Sequence, residues 1–180
     1  FASKNRRALS LAAEHFETDR YHVRTTVDLL GAEVCAATKN LFAFGVGYGQ
    51  GLGALEEDPT RPPSADLHSV NLGAALFSQA HREMKALVGF VGGLPETVDS
   101  LGGVGDLFVT STGGRNVRAG RFVGGGASIE QLTSNYMCGE TVESLEVIRV
   151  VGGYLEIESA RGNIGVNEFP FARFLYRTVT

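Results

Sequence analysis

One segment of this chain carries several residue types that could handle a small phosphorylated molecule. Residues 105–116 read GDLFVTSTGGRN, which provides a carboxylate from Asp106, a hydroxyl from Thr110 and a guanidinium from Arg115. A guanidinium can bind a phosphate through two parallel hydrogen bonds. Lys39, far upstream, adds an amine that can donate or accept a proton. Together these groups suit the binding and the chemistry of a phosphorylated polyol.

The Gly-Gly-Arg-Asn turn within this segment predicts an anion site. Gly113 and Gly114 let the backbone approach an anion closely, and Arg115 and Asn116 stand at the predicted start of a helix. The N–H groups and the dipole of a helix N-terminus attract a phosphate. We therefore expect Arg115 and Asn116 to donate hydrogen bonds to phosphate oxygens.

Lys39 and Asp106 each have a functional and a purely structural interpretation. Lys39 lies in an apolar helical run, where desolvation disfavours the ammonium and would help the amine to exchange a proton. The alternative is a lysine whose carbon chain packs on the domain while its ammonium reaches water. Asp106 lies where flanking glycines predict a turn, and its alternative role is to cap the next helix.

Composition excludes several other classes of protein. The chain has 180 residues, 43% hydrophobic content and a net charge of −4, which favours one compact domain and argues against a binder of nucleic acid. Cys35 and Cys138 form no C-x-x-C motif, and the four histidines show no metal-ligand spacing. Neither a disulfide framework nor a metal site is expected. Arg118 and Arg121 are interpreted as a solvated helix face.

The apolar stretch over residues 29–55 raises the question of a membrane span. It contains Glu33 and Lys39, and its second half is rich in glycine, which favours a buried core helix. The first residues show no apolar segment followed by a small-residue cleavage site, as a secretory signal requires. We therefore expect no membrane span and a cytoplasmic location.

No G-x-G-x-x-G motif for a dinucleotide is present. The nearest segment, residues 45–53, reads GVGYGQGLG, lacks the last required glycine and follows a helical pattern instead of a strand. It predicts a glycine-rich helix end that packs closely against a neighbour. The chain also starts with Phe-Ala-Ser and no methionine, so we expect a piece of a longer polypeptide.

Hydrophobic periodicity predicts a mainly α body. A helix capped by Ser3 and a short strand over His22–Thr26 come first, and helical spacing dominates from Asp28 onward. Ser128 and Gln131 form a potential capping box. The predicted helices are Asp28–Gly49, Asn71–Val91, a short one with Pro95 in its first turn, Asn116–Val123, Ser128–Ser134, Thr141–Val151 and Phe169–Val179, with a loop-rich insertion over Glu56–Ser69.

In their order and spacing, the Lys39-Asn40 pair and the 105–116 segment resemble the substrate-binding domain of NAD-dependent glycerol-3-phosphate dehydrogenases. The resemblance covers nearly the whole chain. It implies a mainly α domain over residues 28–180, of the type found at the C-terminus of 6-phosphogluconate dehydrogenase. Residues 1–27 would be a short α/β remnant of the NAD-binding Rossmann domain.

The activity implied by this resemblance is hydride transfer between NAD or NADP and C2 of glycerol 3-phosphate or dihydroxyacetone phosphate, which supplies a precursor of glycerolipids. The implied partners are the small phosphorylated substrate, the missing NAD-binding domain and a second copy in a homodimer. The chain by itself is expected to be inactive, because the main cofactor-binding domain lies outside it.

The resemblance also implies roles for individual residues. Lys39 would protonate the carbonyl oxygen or take the hydroxyl proton, and Asp106 would hold the lysine's charge and contact the substrate hydroxyl. Asn40 would orient the substrate or the lysine. The implied catalytic residues are thus Lys39 and Asp106, the substrate-binding residues Asn40, Thr110, Arg115 and Asn116, and the cofactor-binding residues Arg115 and Glu140.

Several positions depart from the family pattern. The usual Asn-x-Lys-Ala-Ala-Leu, followed by an arginine, is NLGAAL here, with Gly73 for the lysine and Gln79 for the arginine. Glu140 stands where the family often has glutamine, which could alter contact with the cofactor. Two alternatives therefore stay open: a dehydrogenase of another hydroxy phosphate, and a non-catalytic module for dimerisation or phosphate binding.

Overall fold

The computed structural model describes residues 1–54 and 67–180, and these residues are mostly helical, which confirms the predicted fold class. Short helical turns of other types lie at Pro95–Asp99 (3₁₀) and at Leu101–Gly105 and Leu132–Tyr136 (π). The α-helices are α1 (Arg6–Phe16), α2 (Leu29–Ala54), α3 (Leu67–Phe90), α4 (Asp106–Thr112), α5 (Arg115–Gly124), α6 (Ile129–Gln131), α7 (Glu143–Ala160) and α8 (Pro170–Val179).

The long helix α2 forms the centre of the protein. It packs most extensively against α3 and α5 and also contacts α4, α7 and α8. Leu41, Phe42 and Phe44 of α2 are fully buried, together with Met84 of α3 and Leu155 of α7. By length and composition α2 could cross a membrane, but half of that apolar stretch is buried inside the protein. It is packed as a core helix.

Glycines bring α2 and α5 into close contact. A Cβ at Gly47 would lie 2.2 Å from the carbonyl oxygen of Val117, and one at Gly120 would lie 2.0 Å from that of Phe44. Both distances are far inside van der Waals contact, so only glycine allows this approach. The glycine-rich stretch of α2 therefore serves helix packing, as predicted. It also fixes α5, and with it Arg115, against α2.

The short strand predicted over His22–Thr26 is wrong. Thr26 makes only an isolated parallel bridge to Ala2, and its N–H donates to the carbonyl oxygen of Phe1 at 2.9 Å. Two extended segments form a stable sheet only with a further strand or a packed face. The described residues contain no further strand.

Several helix boundaries also differ from prediction. Asn5, and not Ser3, caps α1 by accepting hydrogen bonds from two backbone N–H groups. The capping box of Ser128 and Gln131 is confirmed. α2 runs five residues and α7 nine residues beyond their predicted ends, because glycine-containing stretches continue the helix when they pack against neighbours. Residues 56–66 of the predicted insertion lie outside the described residues, and its last residues, from Leu67, begin α3.

Candidate active site

Three helices and one turn bring most of the predicted site residues to a single cleft of about 410 Å³. α2 contributes Lys39 and Asn40, α4 contributes Thr110, and the start of α5 contributes Arg115 and Asn116. The wall also includes Val109, Gly113, Gly114 and Glu143. Residues far apart in the sequence therefore share one small, mostly polar space.

Asp106 does not line this cleft itself but contacts Lys39, which does. Its Oδ2 lies 2.5 Å from Lys39 Nζ, and the two side chains are 37% and 25% exposed, respectively. The carboxylate therefore contacts the ammonium at the cleft wall, and a role of this pair in catalysis stays a prediction. Lys39 does not sit in the purely apolar surroundings expected from its helix, since its ammonium contacts a carboxylate and its side chain is partly exposed.

The backbone around Asp106 differs from the predicted turn. Asp106 is the first residue of α4 and follows directly on the π-helical turn Leu101–Gly105. Within this turn Gly103 is buried, and a Cβ there would lie 2.2 Å from the carbonyl oxygen of Val98. π-Helical turns occur often at functional sites. This one sets where α4 begins and so directs Asp106 toward Lys39.

Asp28 anchors the segment that leads into the π-helical turn. Its Oδ1 accepts a hydrogen bond from the N–H of Gly31 at 3.0 Å. Its Oδ2 accepts from the N–H of Leu94 at 2.9 Å and from the hydroxyl of Thr97 at 2.6 Å. Burial raises the pKa of Asp28, but these hydrogen bonds outweigh it and hold the pKa below its usual value. Sequence reasoning missed this residue, because its partners Leu94 and Thr97 are distant in the chain.

The N-terminus of α5 is open toward the cleft. Gly114, at the N-cap, has a φ of 93°, in the left-handed region that favours glycine, and α5 has no side-chain cap. The first backbone N–H groups of a helix have no partner within it. They are therefore free to donate to an anion, and the anion site expected from the Gly-Gly-Arg-Asn motif stays a prediction.

Arg115 and Asn116 are tied to the start of α7. Arg115 Nη2 donates to Glu143 Oε1 at 2.6 Å, and Asn116 Oδ1 accepts from the N–H of Ser144 at 3.1 Å. The amide NH₂ of Asn116 is then the group available to a ligand. Glu143 was not predicted. Its only sequence signal is an acidic residue in the first turn of a predicted helix, which is common.

Glu140 lies apart from this cleft. Its carboxylate pairs with Arg118 and does not line the space beside Lys39. Its cofactor-binding role stays a prediction. Gly73 and Gln79, the two departures from the family pattern, do not line the cleft either: the amide of Gln79 donates to the buried Glu83, and Gly73 lies near α2.

A second, larger cleft of about 820 Å³ opens on the other side of Asp106. It lies between the N-terminal segment and the helices around the π-helical turn, and Val109 lines both clefts. Leu94, Leu101 and Val109 give it an apolar wall, and their side chains are strongly exposed. Asp106 thus stands at the boundary between a polar space and an apolar one.

The described residues contain no group of three or more His, Cys, Asp or Glu that could hold a metal ion. Both cysteines are free thiols. Cys35 is buried in α2, where desolvation and then the nearby Asp28 raise its pKa to about 11. Cys138 is exposed.

The family model for the C-terminus of NAD-dependent glycerol-3-phosphate dehydrogenase matches residues 28–180. The chain belongs to this family. An NAD(P)-dependent glycerol-3-phosphate dehydrogenase of Leuconostoc mesenteroides is 35% identical over 152 residues, which are 83% of this chain and 40% of that protein. An NADP-dependent member of Archaeoglobus fulgidus is 30% identical over 162 residues, 89% of this chain and 43% of that protein.

Solved structures of glycerol-3-phosphate dehydrogenases share the fold. The enzyme of Coxiella burnetii matches with a TM-score of 0.77 at 27% identity, covering 99% of this chain and 48% of the other. The enzyme of Saccharomyces cerevisiae matches with a TM-score of 0.75 at 26% identity, covering 94% and 44%. The chain therefore spans less than half the length of these relatives. A division into a Rossmann remnant over residues 1–27 and a catalytic domain over 28–180 stays a prediction.

Proposed function

We propose that the chain is the substrate-binding and catalytic part of a dehydrogenase that interconverts glycerol 3-phosphate and dihydroxyacetone phosphate. The single observation that carries this is the Lys39–Asp106 pair beside the open N-terminus of α5. One end of the cleft offers a proton, and the other offers Arg115 and free backbone N–H groups for a phosphate. A triose phosphate needs a proton donor at its carbonyl group and hydrogen-bond donors at its phosphate, and the two must lie close together because the molecule is small.

Lys39 acts as the acid in reduction and as the base in oxidation. In reduction, C2 of dihydroxyacetone phosphate gains a hydride while Lys39 Nζ gives a proton to the carbonyl oxygen, which becomes the hydroxyl. Water then returns a proton to the lysine. Asp106 holds the ammonium in position and disperses its charge, since its carboxylate lies 2.5 Å away.

The opposite end of the cleft binds the phosphate. The guanidinium of Arg115, the first N–H groups of α5 and the amide NH₂ of Asn116 all donate to phosphate oxygens. Asn40 and Thr110, which line the wall between, contact the hydroxyl groups of the substrate. With its phosphate at one end of the cleft and its hydroxyl groups along the wall, the substrate is held so that C2 lies near Lys39.

A nicotinamide cofactor supplies or accepts the hydride when it is bound. The larger cleft beside Asp106 fits this requirement, because the apolar wall of Leu94, Leu101 and Val109 offers a flat ring a dry surface next to the proton donor. Arg115 and Glu140 are further candidates for contact with the cofactor. The main binding unit for NAD or NADP is a Rossmann domain that works with this chain.

The further partner is a second copy of the chain in a homodimer, in the cytoplasm. Val150, Tyr154 and Ile157 support this, because they lie exposed at successive turns of α7 and form an apolar stripe. Light scattering of the purified protein measures the mass directly. A monomer at micromolar concentration would contradict this assembly.

The activity is tested with the polypeptide that carries this chain together with the nucleotide-binding domain. The assay follows the loss of NADH absorbance on addition of dihydroxyacetone phosphate. We expect turnover in the wild type and a loss of at least about a hundredfold in kcat for Lys39→Ala, because general acid catalysis contributes on this scale. The phosphate affinity should be largely kept.

Lys85→Ala is the matched control. Lys85 also pairs with an aspartate, Asp99, at 2.6 Å, but it lies on α3 outside the cleft. It should leave kcat unchanged. NADH binding without turnover would redirect the proposal to another hydroxy phosphate, and absence of NADH binding would favour a non-catalytic module.

A further inference from the structure

We propose that Glu143 is a specificity-determining residue, whose carboxylate lies in the anion subsite and competes with an incoming phosphate for Arg115. The inference rests on the proposed function, because it concerns the same Arg115 subsite. It adds that the subsite selects for ligands that carry more charge than the single carboxylate they displace.

The competition follows from the position of Glu143. Its side chain lines the same cleft as Arg115 and Asn116, and Glu143 Oε1 accepts a hydrogen bond from Arg115 Nη2 at 2.6 Å. The two side chains are 41% and 50% exposed. An ion pair with this much solvent access is weak and exchanges readily, so an incoming anion can replace the carboxylate.

The first turns of α7 and α5 keep the carboxylate of Glu143 beside Arg115. Glu143 is the first residue of α7, where a negative charge is favoured by the helix dipole. The hydrogen bond from the N–H of Ser144 to Asn116 Oδ1 holds the first turn of α7 against the first turn of α5. Neither helix has a side-chain cap. The negative charge of Glu143 therefore stays close to the open N–H groups of α5.

This arrangement makes the cleft selective by charge. Each cation in its wall, Lys39 and Arg115, already has a carboxylate partner, Asp106 and Glu143 respectively. A monocarboxylate offers Arg115 nothing that Glu143 does not already supply. A phosphate dianion offers a second charge and a third oxygen, which can engage the N–H groups of α5 at the same time. Glu143 therefore weakens the binding of every anion, and a phosphate overcomes this loss through its further contacts with α5, whereas a monocarboxylate does not.

The test compares inorganic phosphate and acetate as probes of the polypeptide that carries this chain together with the nucleotide-binding domain. Binding is followed by the NMR shifts of the backbone N–H groups of Gly114, Arg115 and Asn116. We expect Glu143→Gln to lower the dissociation constant for phosphate by about three- to fivefold at low salt, with a smaller gain at high salt. Acetate should shift these groups in the variant and not in the wild type.

Glu146→Gln is the matched control, because Glu146 is the other acidic residue in the first turn of α7 and is exposed outside the cleft. It should leave the phosphate affinity unchanged. If phosphate binds the wild type and Glu143→Gln binds it equally or more weakly, this inference alone is overturned, since Glu143 would then only position Arg115. If phosphate shifts neither protein, the anion subsite is absent and the proposed function fails with it.

Discussion

Lys39 Nζ and Asp106 Oδ2 lie 2.5 Å apart although 67 positions separate the two residues in the chain. Lys39 is fixed by the central helix α2, and Asp106 by the π-helical turn that starts α4. Neither residue depends on a flexible loop for its position. The pair is therefore preorganised, as the proposed proton-transfer role of Lys39 requires.

Asp106→Asn should separate catalysis from binding. The asparagine keeps the shape of the side chain but removes the charge that holds the Lys39 ammonium. We expect kcat to fall at least about tenfold, with KM for dihydroxyacetone phosphate changed by less than about threefold. Steady-state kinetics of the dehydrogenase measure both values.

The control for this prediction is Asp99→Asn, which breaks the pair of Asp99 with Lys85 outside the cleft. It should leave kcat as in the wild type. Equal losses of kcat in the two variants would mean that Asp106 acts only through stability.

Gly114→Ala should weaken phosphate binding. A Cβ at Gly114 would meet nothing within 4 Å, so the cost arises from the φ of 93° alone. Such strain costs about 1–2 kcal/mol for a residue with a side chain, and relaxing it would turn the first N–H groups of α5 away from the cleft. We expect a KM for the phosphorylated substrate that is about three- to tenfold higher.

Gly162→Ala is the matched control, because Gly162 has a φ of 78°, equally open space and a position in the turn after α7. It should cost similar stability and leave KM unchanged. A rise in KM in both variants would show that general destabilisation, and not the α5 N-terminus, sets the affinity.

The sequence predicts those parts of the fold that depend on local pattern. The helical periodicity from Asp28 onward and the Ser128 capping box are confirmed, because both rest on contacts within a few residues. The prediction of a strand at residues 22–26 was wrong, because a strand depends on partners that are distant in the sequence. The π-helical turn depends on Gly103 packing against Val98, and no local preference indicates that contact.

The site could be predicted only in part for the same reason. The family resemblance implied the contact between Lys39 and Asp106. The residue types alone left a purely structural alternative open for each of the two residues. Glu143 was missed because its contact with Arg115 spans 28 positions and an acid in a first helical turn usually serves the dipole. Contacts between helices are decided by packing angles, which the sequence does not display.

Gly47→Ala should destabilise the protein through the contact of α2 with α5. The added Cβ would lie 2.2 Å from the carbonyl oxygen of Val117, so the helices must move apart. Overpacking of this kind costs about 1–3 kcal/mol. We expect the midpoint of urea denaturation to fall accordingly, and it is followed by far-ultraviolet circular dichroism.

Gly153→Ala is the matched control and should have the opposite effect on stability. Gly153 lies within α7, and a Cβ there would meet nothing within 4 Å. Alanine is favoured over glycine in a helix by about 1 kcal/mol, so this variant should be more stable than the wild type. Equal loss of stability in both variants would contradict the packing argument.

Asp28→Asn should destabilise the protein, because Asp28 anchors the segment that leads to Asp106. The hydrogen bonds from Gly31, Leu94 and Thr97 hold the pKa of Asp28 below its usual 3.8 despite the opposing effect of burial. A lowered carboxyl pKa in the folded state adds stability above the unfolded pKa, and this stability is lost as the pH falls through the folded pKa. At pH 7 the asparagine should therefore cost about 1–3 kcal/mol, because one of its atoms no longer accepts a hydrogen bond.

The difference in unfolding free energy between Asp28→Asn and the wild type should shrink as the pH falls below about 4, where the unfolded carboxyl is protonated. Urea denaturation at a series of pH values measures it. Asp19→Asn, at an exposed aspartate, is the control and should show little difference at any pH. A gap between Asp28→Asn and the wild type that stays constant down to pH about 2 would mean that shape alone, and not the charge of Asp28, anchors the Leu94–Thr97 segment.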